Sequence, residues 1–261
     1  MGTRTVLFVA FCSLAGACAS AGNSEETGRP DGGGLHPLHD APAGTAPDAS
    51  GQMHDAFVPI DGAVVPNSVT LSQTTSATLT SRHAIACPGS DGVGTSQNSY
   101  YRVFDLAAAG ITTAFVVSKV SFQIEDSESA AGNGSVVAVR VGTYTGTPGA
   151  TLTPASIVVA SSNDTVQVPE VDEVTTSPGG TVDAPVTATI PAGSQMVVEV
   201  DSADGTDLWQ FYMGTNAGGE SGKSYISTQS QCTNPGKTPK VISAVAAAEV
   251  DLLLTVTGTA Q

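Results

Sequence analysis

The chain predicts an all-β fold, an antiparallel β-sandwich of jelly-roll type, preceded by a signal peptide and a disordered tether. Three observations predict it. Apolar residues alternate at period two through several short segments, which puts every second side chain on one face of a sheet. Gly, Pro, Asn and Asp punctuate those segments at roughly ten-residue spacing, and no long amphipathic helical run lies between them. Composition agrees: of 261 residues 13% are charged and 5% aromatic, against 29 glycines and 15 prolines, which favours short strands and tight turns.

Residues 1–17 read MGTRTVLFVAFCSLAGA, with Arg4 ahead of an apolar run that ends in small residues. This is the layout of a secretory signal, and the run is too short for a permanent membrane span. Ala15-Gly16-Ala17-Cys18 resembles a bacterial lipobox. The resemblance implies diacylglycerol on the Cys18 thiol, cleavage in front of it, and a membrane as partner through the lipid anchor. Several acyl chains, at about 0.8 kcal/mol per buried methylene, make such anchoring permanent. Ala19, rather than Asp, follows the cysteine, and in the sorting pattern of such lipoproteins this implies the outer membrane. Cleavage near Ala17 or Ala19 without lipid is the alternative, and it would give a freely secreted protein.

Residues 18–66 are rich in Gly, Pro, Ala and Asp, with no apolar period. Such a segment cannot bury enough surface to fold and is expected to be an acidic tether. A flexible chain of that length spans on the order of 40 Å. His36, His39 and His54 lie in it beside Asp40 and Asp55. These residue types suit divalent metals, while drifting low-complexity sequence produces the same repeats.

Residues 67–261 are expected to form one domain, large enough for a substantial core. Ser68 to Ser81 fits one or two strands. Asn98 to Leu106, NSYYRVFDL, opens the central part of the sheet. Inward-facing sets follow in Val120, Phe122 and Ile124; in Val137, Val139 and Val141; in Met196, Val198 and Val200; and in Val250, Leu252, Leu254 and Val256. Lys119, Gln123, Arg140 and Glu199 then face water or an edge. Trp209, Phe211 and Met213 alternate in the same way and read as core, leaving Tyr212 on the opposite face. Ser243 to Glu249 fits either a short helix or an apolar strand.

Cys12 leaves with the signal and Cys18 carries lipid, so Cys87 and Cys232 remain as a pair in an exported domain, most simply one disulfide. Nucleophile elbows, HExxH, paired CxxC and phosphate loops are absent from the sequence, and no catalytic residue is assigned. A formal charge of -15 with nine Lys and Arg excludes a nucleic-acid partner, because phosphate neutralisation needs clustered cations. Asp201, Asp204 and Asp207 around Gly205 form a candidate calcium loop. Glu125, Asp126, Glu128 and Asn133 form a second acidic string in an expected turn. Asp-Gly turns between strands also arise for conformational reasons alone. Tyr212, Tyr225 and Asn216 are candidates for a ligand surface, since an exposed ring stacks on the apolar face of a sugar.

NSYYRVFDL, the VSKVSFQIED strand, YMGTNAGG, SYI and the closing LLLTVTG together resemble a β-sandwich domain of secreted and surface-anchored bacterial proteins of adhesin-like type. The resemblance runs from about Tyr100 to Gly258 and brings no catalytic residues with it. The expectation is therefore a monomeric, lipid-anchored envelope protein that displays a sandwich for binding or adhesion to an envelope protein or polysaccharide. A carbohydrate-binding or calcium-dependent recognition module, and a structural envelope protein without a small ligand, are the alternatives.

Overall fold

The computed structural model describes residues 67–89, 94–129, 132, 134–171, 179–205, 209–229, 232 and 234–261. Signal, Cys18, the tether with its three histidines, Asn133 and Asp207 lie outside the described residues. In chain order the strands are β1 (Ser68–Ser72), β2 (Asn98–Asp105), β3 (Phe115–Glu128), β4 (Ser135–Tyr144), β5 (Ile157–Val168), β6 (Thr181–Ile190), β7 (Gln195–Ser202), β8 (Gln210–Met213), β9 (Thr215–Asn216), β10 (Ser224–Ser227), β11 (Lys240–Val241), β12 (Asp251–Leu252) and β13 (Leu254–Ala260). One short helix, α1, covers Ile242–Ala246, so the segment near Ser243 is helical rather than extended.

The strands form an antiparallel sandwich. One sheet runs β1-β13-β3-β6, with β8 continuing along the far half of β3. The other runs β11-β10-β2-β7-β4-β5, and β9 with β12 makes a separate two-stranded ribbon. All four period-two sets point into one core: Val120, Phe122 and Ile124 from β3 meet Val137, Val139 and Val141 from β4 and Met196, Val198 and Val200 from β7. Leu252, Leu254 and Val256 complete it, with Phe211 and Met213 from β8 and Trp209 packed against its margin.

The edge strands explain themselves. β6 alternates strictly, burying Val182, Ala184, Val186, Ala188 and Ile190, and holds Pro185 in mid-strand. A proline cannot donate to a neighbour, which suits an edge. β5 is the opposing edge of the other sheet and is mostly exposed.

β2 breaks the alternation expected of a half-buried strand, because its first seven residues are all buried. Tyr100 and Phe104 face the main core. Tyr101 and Val103 face outward into a second cluster with Tyr144, Leu152, Val197 and Tyr225. The segment after β4 folds back over this face: the Leu152 N–H donates to Pro239 O at 2.9 Å, and the Val241 N–H donates to Ala150 O at 3.1 Å. NSYYRVFDL is thus enclosed on both faces of its sheet.

Register fixes the two ends of the sandwich. Ser68, where the described chain enters the domain, pairs with Thr259, and Thr259 with Val116 near the start of β3. Glu125 lies further along that strand, roughly 30 Å away at about 3.3 Å per residue.

Candidate functional site

At this far end β3 changes partner. Ile124 pairs with Met213 of β8 and Asp126 with Tyr212, so Glu125 is the extra residue of a β-bulge. Bulges re-aim side chains that alternation would send to opposite faces. Here Glu125 and Asp126, both buried, line one cavity of about 290 Å3 together with Arg82, Ala84, Gln210 and Tyr212.

The wall opposite β3 is built by the Glu125 carboxylate. Its Oε1 accepts the His83 N–H at 3.0 Å and its Oε2 accepts the Ala84 N–H at 2.9 Å. These bonds hold a turn in which Arg82 adopts φ 57°, a left-handed conformation that non-glycine residues seldom take and that recurs at ligand sites. Burial pushes the Glu125 carboxyl above its ordinary value, and the Ala84 and His83 N–H groups oppose that rise. Behind the cavity, the Tyr100 hydroxyl donates to Ile85 O at 3.0 Å, and its ring meets Phe211 edge-on with centroids 6.1 Å apart. Gln210 Nε2 donates to Glu128 Oε2 at 3.3 Å across the β3–β8 pair. The floor is rigid core, while the rim carries a guanidinium, an amide, two carboxylates and a phenol ring.

Cys87 and Cys232 form the expected disulfide, with Cα atoms 6.1 Å apart. The Cys87 N–H donates to Asn98 Oδ1 at 2.8 Å, and the Ser96 N–H donates to Cys87 O at 2.8 Å. The bridge thus ties the segment that follows Arg82 to Cys232, beyond β10, while the two hydrogen bonds tie it to the start of β2.

Two of the three ligand-surface candidates are buried. Tyr225 is 1% exposed, and its hydroxyl donates to Gly149 O at 3.1 Å beneath the segment that covers β2. Alternation does set Tyr225 on the outer face of its sheet, but that face is covered. Asn216 is 2% exposed and its amide is engaged, its Nδ2 donating to Ser76 O at 2.6 Å and its Oδ1 accepting the Gly218 N–H at 3.1 Å. Tyr212 alone of the three lines the cavity.

Asp201 is engaged elsewhere. Its Oδ1 accepts from Gln97 Nε2 and Ser99 Oγ, each at 2.8 Å, and its Oδ2 accepts from Arg140 Nη1 at 3.0 Å. Asp204 is exposed, and among the described residues no three His, Cys, Asp or Glu side chains are grouped to hold a metal. Glu125, Asp126 and Glu128 belong to β3 rather than to a turn.

Arg82 and Gln210 are members of the site that sequence reasoning missed. Gln210 follows from the alternation that exposes Tyr212, since both precede or follow buried Phe211. Nothing local marks Arg82, whose place depends on a long-range contact with Glu125. A second cavity of about 320 Å3 lies beside β2, lined by Gln73, Asp105, Gln195, Lys223 and the edge of Tyr225 among others. Its Gln73 is committed to Val103 O at 2.7 Å, and its only ring is buried. No family model matches this chain, and no curated protein or solved structure matches it significantly.

Proposed function

We propose that the protein is a lipid-anchored envelope protein whose sandwich is displayed for binding, without catalytic activity. One observation carries this reading: the chain enters the sandwich at Ser68, paired to the Val116 end of β3 through Thr259, while the polar cavity opens beyond Glu125 at the other end. On this reading the anchor is attached at the end of the sandwich remote from the cavity. The disulfide at the cavity end supports it, because a cross-link holds a binding surface in one shape and lowers the ordering cost of association.

The test is the intact mass of the mature protein from membranes of a bacterial host, with and without Cys18→Ser. Acylated Cys18, lost in the variant together with membrane retention, is the expected result. An unmodified protein in the culture fluid would overturn the anchor and with it the display geometry.

A further inference from the structure

We propose that the cavity formed by Glu125, Asp126, Arg82, Gln210 and Tyr212 is a saccharide subsite that takes one neutral pyranose ring. The inference rests on the reading of the domain as a displayed binding module and names its ligand class.

A sugar ring offers hydroxyls that both donate and accept, around one or two patches of apolar C–H. Each needs a different partner. Ionised carboxylates accept only, and each oxygen has more than one lone pair, so Glu125 keeps acceptor capacity after receiving the His83 and Ala84 N–H groups. Asp126 and Arg82 each already interact within the fold, but a carboxylate and a five-donor guanidinium each keep capacity beyond one bond, and Gln210, whose Nε2 donates to Glu128, adds an amide oxygen. Tyr212 is half-buried beside them and supplies a flat ring for the C–H face. The volume, about 290 Å3, falls just under the range of roughly 300–1,000 Å3 for ligand pockets and suits a single ring.

Charge selects among sugars. Two carboxylates against one guanidinium leave the lining acidic in an already acidic protein, so a uronic acid or phosphosugar meets repulsion where a neutral ring meets none. The bulge and the left-handed Arg82 are the local devices that bring these groups to one place.

The experiment is saturation-transfer NMR on the full chain with the methyl glycosides of glucose, galactose, mannose and N-acetylglucosamine, and with methyl glucuronide. At least one neutral glycoside should show transfer to its ring protons, with affinity falling at least tenfold in Tyr212→Ala and in Asp126→Asn. Tyr212→Phe keeps the ring and should keep binding, which separates loss of the platform from loss of the fold. Methyl glucuronide should bind at least tenfold more weakly than methyl glucoside. Absence of transfer from every neutral glycoside, transfer indifferent to Tyr212→Ala, or tighter binding of the glucuronide would each overturn the proposal. A protein that carries acylated Cys18 yet binds none of the probes would sink this inference and leave the display reading standing. Binding by a protein with unmodified Cys18 would do the reverse.

Discussion

Arg102 holds its Nη2 3.1 Å from Glu220 Oε2 inside the sandwich, at a position on β2 flanked by the core residues Tyr100 and Phe104. Its Nη1 donates to Gly222 O at 2.9 Å and to Gln73 Oε1 at 3.2 Å, and its Nη2 also donates to Leu252 O at 2.6 Å. Glu220 in turn accepts from the Ser224 N–H at 3.0 Å and the Ser224 hydroxyl at 2.6 Å. One charged side chain thus gathers the ends of β10 and β12 against β2. Burial draws Arg102 below its ordinary value, while Glu220 and Asp251 hold it up.

Arg102→Met removes the partner and leaves a carboxylate with little access to water. The expected loss is about 3–5 kcal/mol, the usual cost of breaking a buried pair from one side. The double variant with Glu220→Leu should lose less than the two single variants summed. Urea unfolding of the wild type and all three variants measures both, and a loss under about 1 kcal/mol for Arg102→Met would show the pair to be dispensable.

Cys87→Ser with Cys232→Ser opens a loop whose ends are separated by 145 residues. A loop of this size should give a loss of about 2–4 kcal/mol. Thermal unfolding with and without reductant checks it: the wild-type melting point should fall on reduction and the variant's should not move.

The pH dependence of stability carries an inverted component. A carboxyl raised in the fold binds its proton more tightly there. Its contribution is therefore complete below the ordinary value of 4.5 and fades as pH rises through the folded value; Glu125 and Glu220 are both of this kind, raised chiefly by burial. Glu170 and Asp183 are lowered, the first by the Ser129 N–H and the second by the Ser121 hydroxyl, and act in the opposite sense. Comparison of wild type with Glu125→Gln by urea unfolding isolates one group. The wild type should lose ground to the variant as pH rises from 4 to 7, and a difference independent of pH would contradict the shift.

Ala247 ends α1 at φ 55° and is exposed. A glycine takes that left-handed position without the clash between Cβ and carbonyl oxygen. Ala247→Gly should therefore raise stability by about 0.5–1 kcal/mol, read as an upward shift of the melting point.

The sandwich was legible because its inner faces repeat at period two. Val137, Val139 and Val141, or Met196, Val198 and Val200, have no other way to be buried together. β6 was harder to see, since Ala184 and Ala188 carry little apolar signal and Pro185 sits among them. The enclosure of β2 was not legible: Tyr101 and Tyr225 are polar-tipped residues whose exposure depends on whether the distant Leu152 segment folds across them. The cavity lies between these cases. Glu125 beside Asp126 interrupts the alternation of Val120, Phe122 and Ile124, which signals a bulge, and Tyr212 falls opposite buried Phe211. Arg82 joins them only through Glu125 and its contacts with the His83 and Ala84 amides.

The pairing of Ser68 with Thr259 also sets how the domain would bear force. β1 lies antiparallel to β13 and enters from the end opposite the cavity. A pull between Ser68 and the cavity end would run parallel to the strands and load the β1–β13 hydrogen bonds in shear, all at once. Peeling would break them one after another at a much smaller load. The first strand is short, yet it is attached in the orientation that best resists being drawn out.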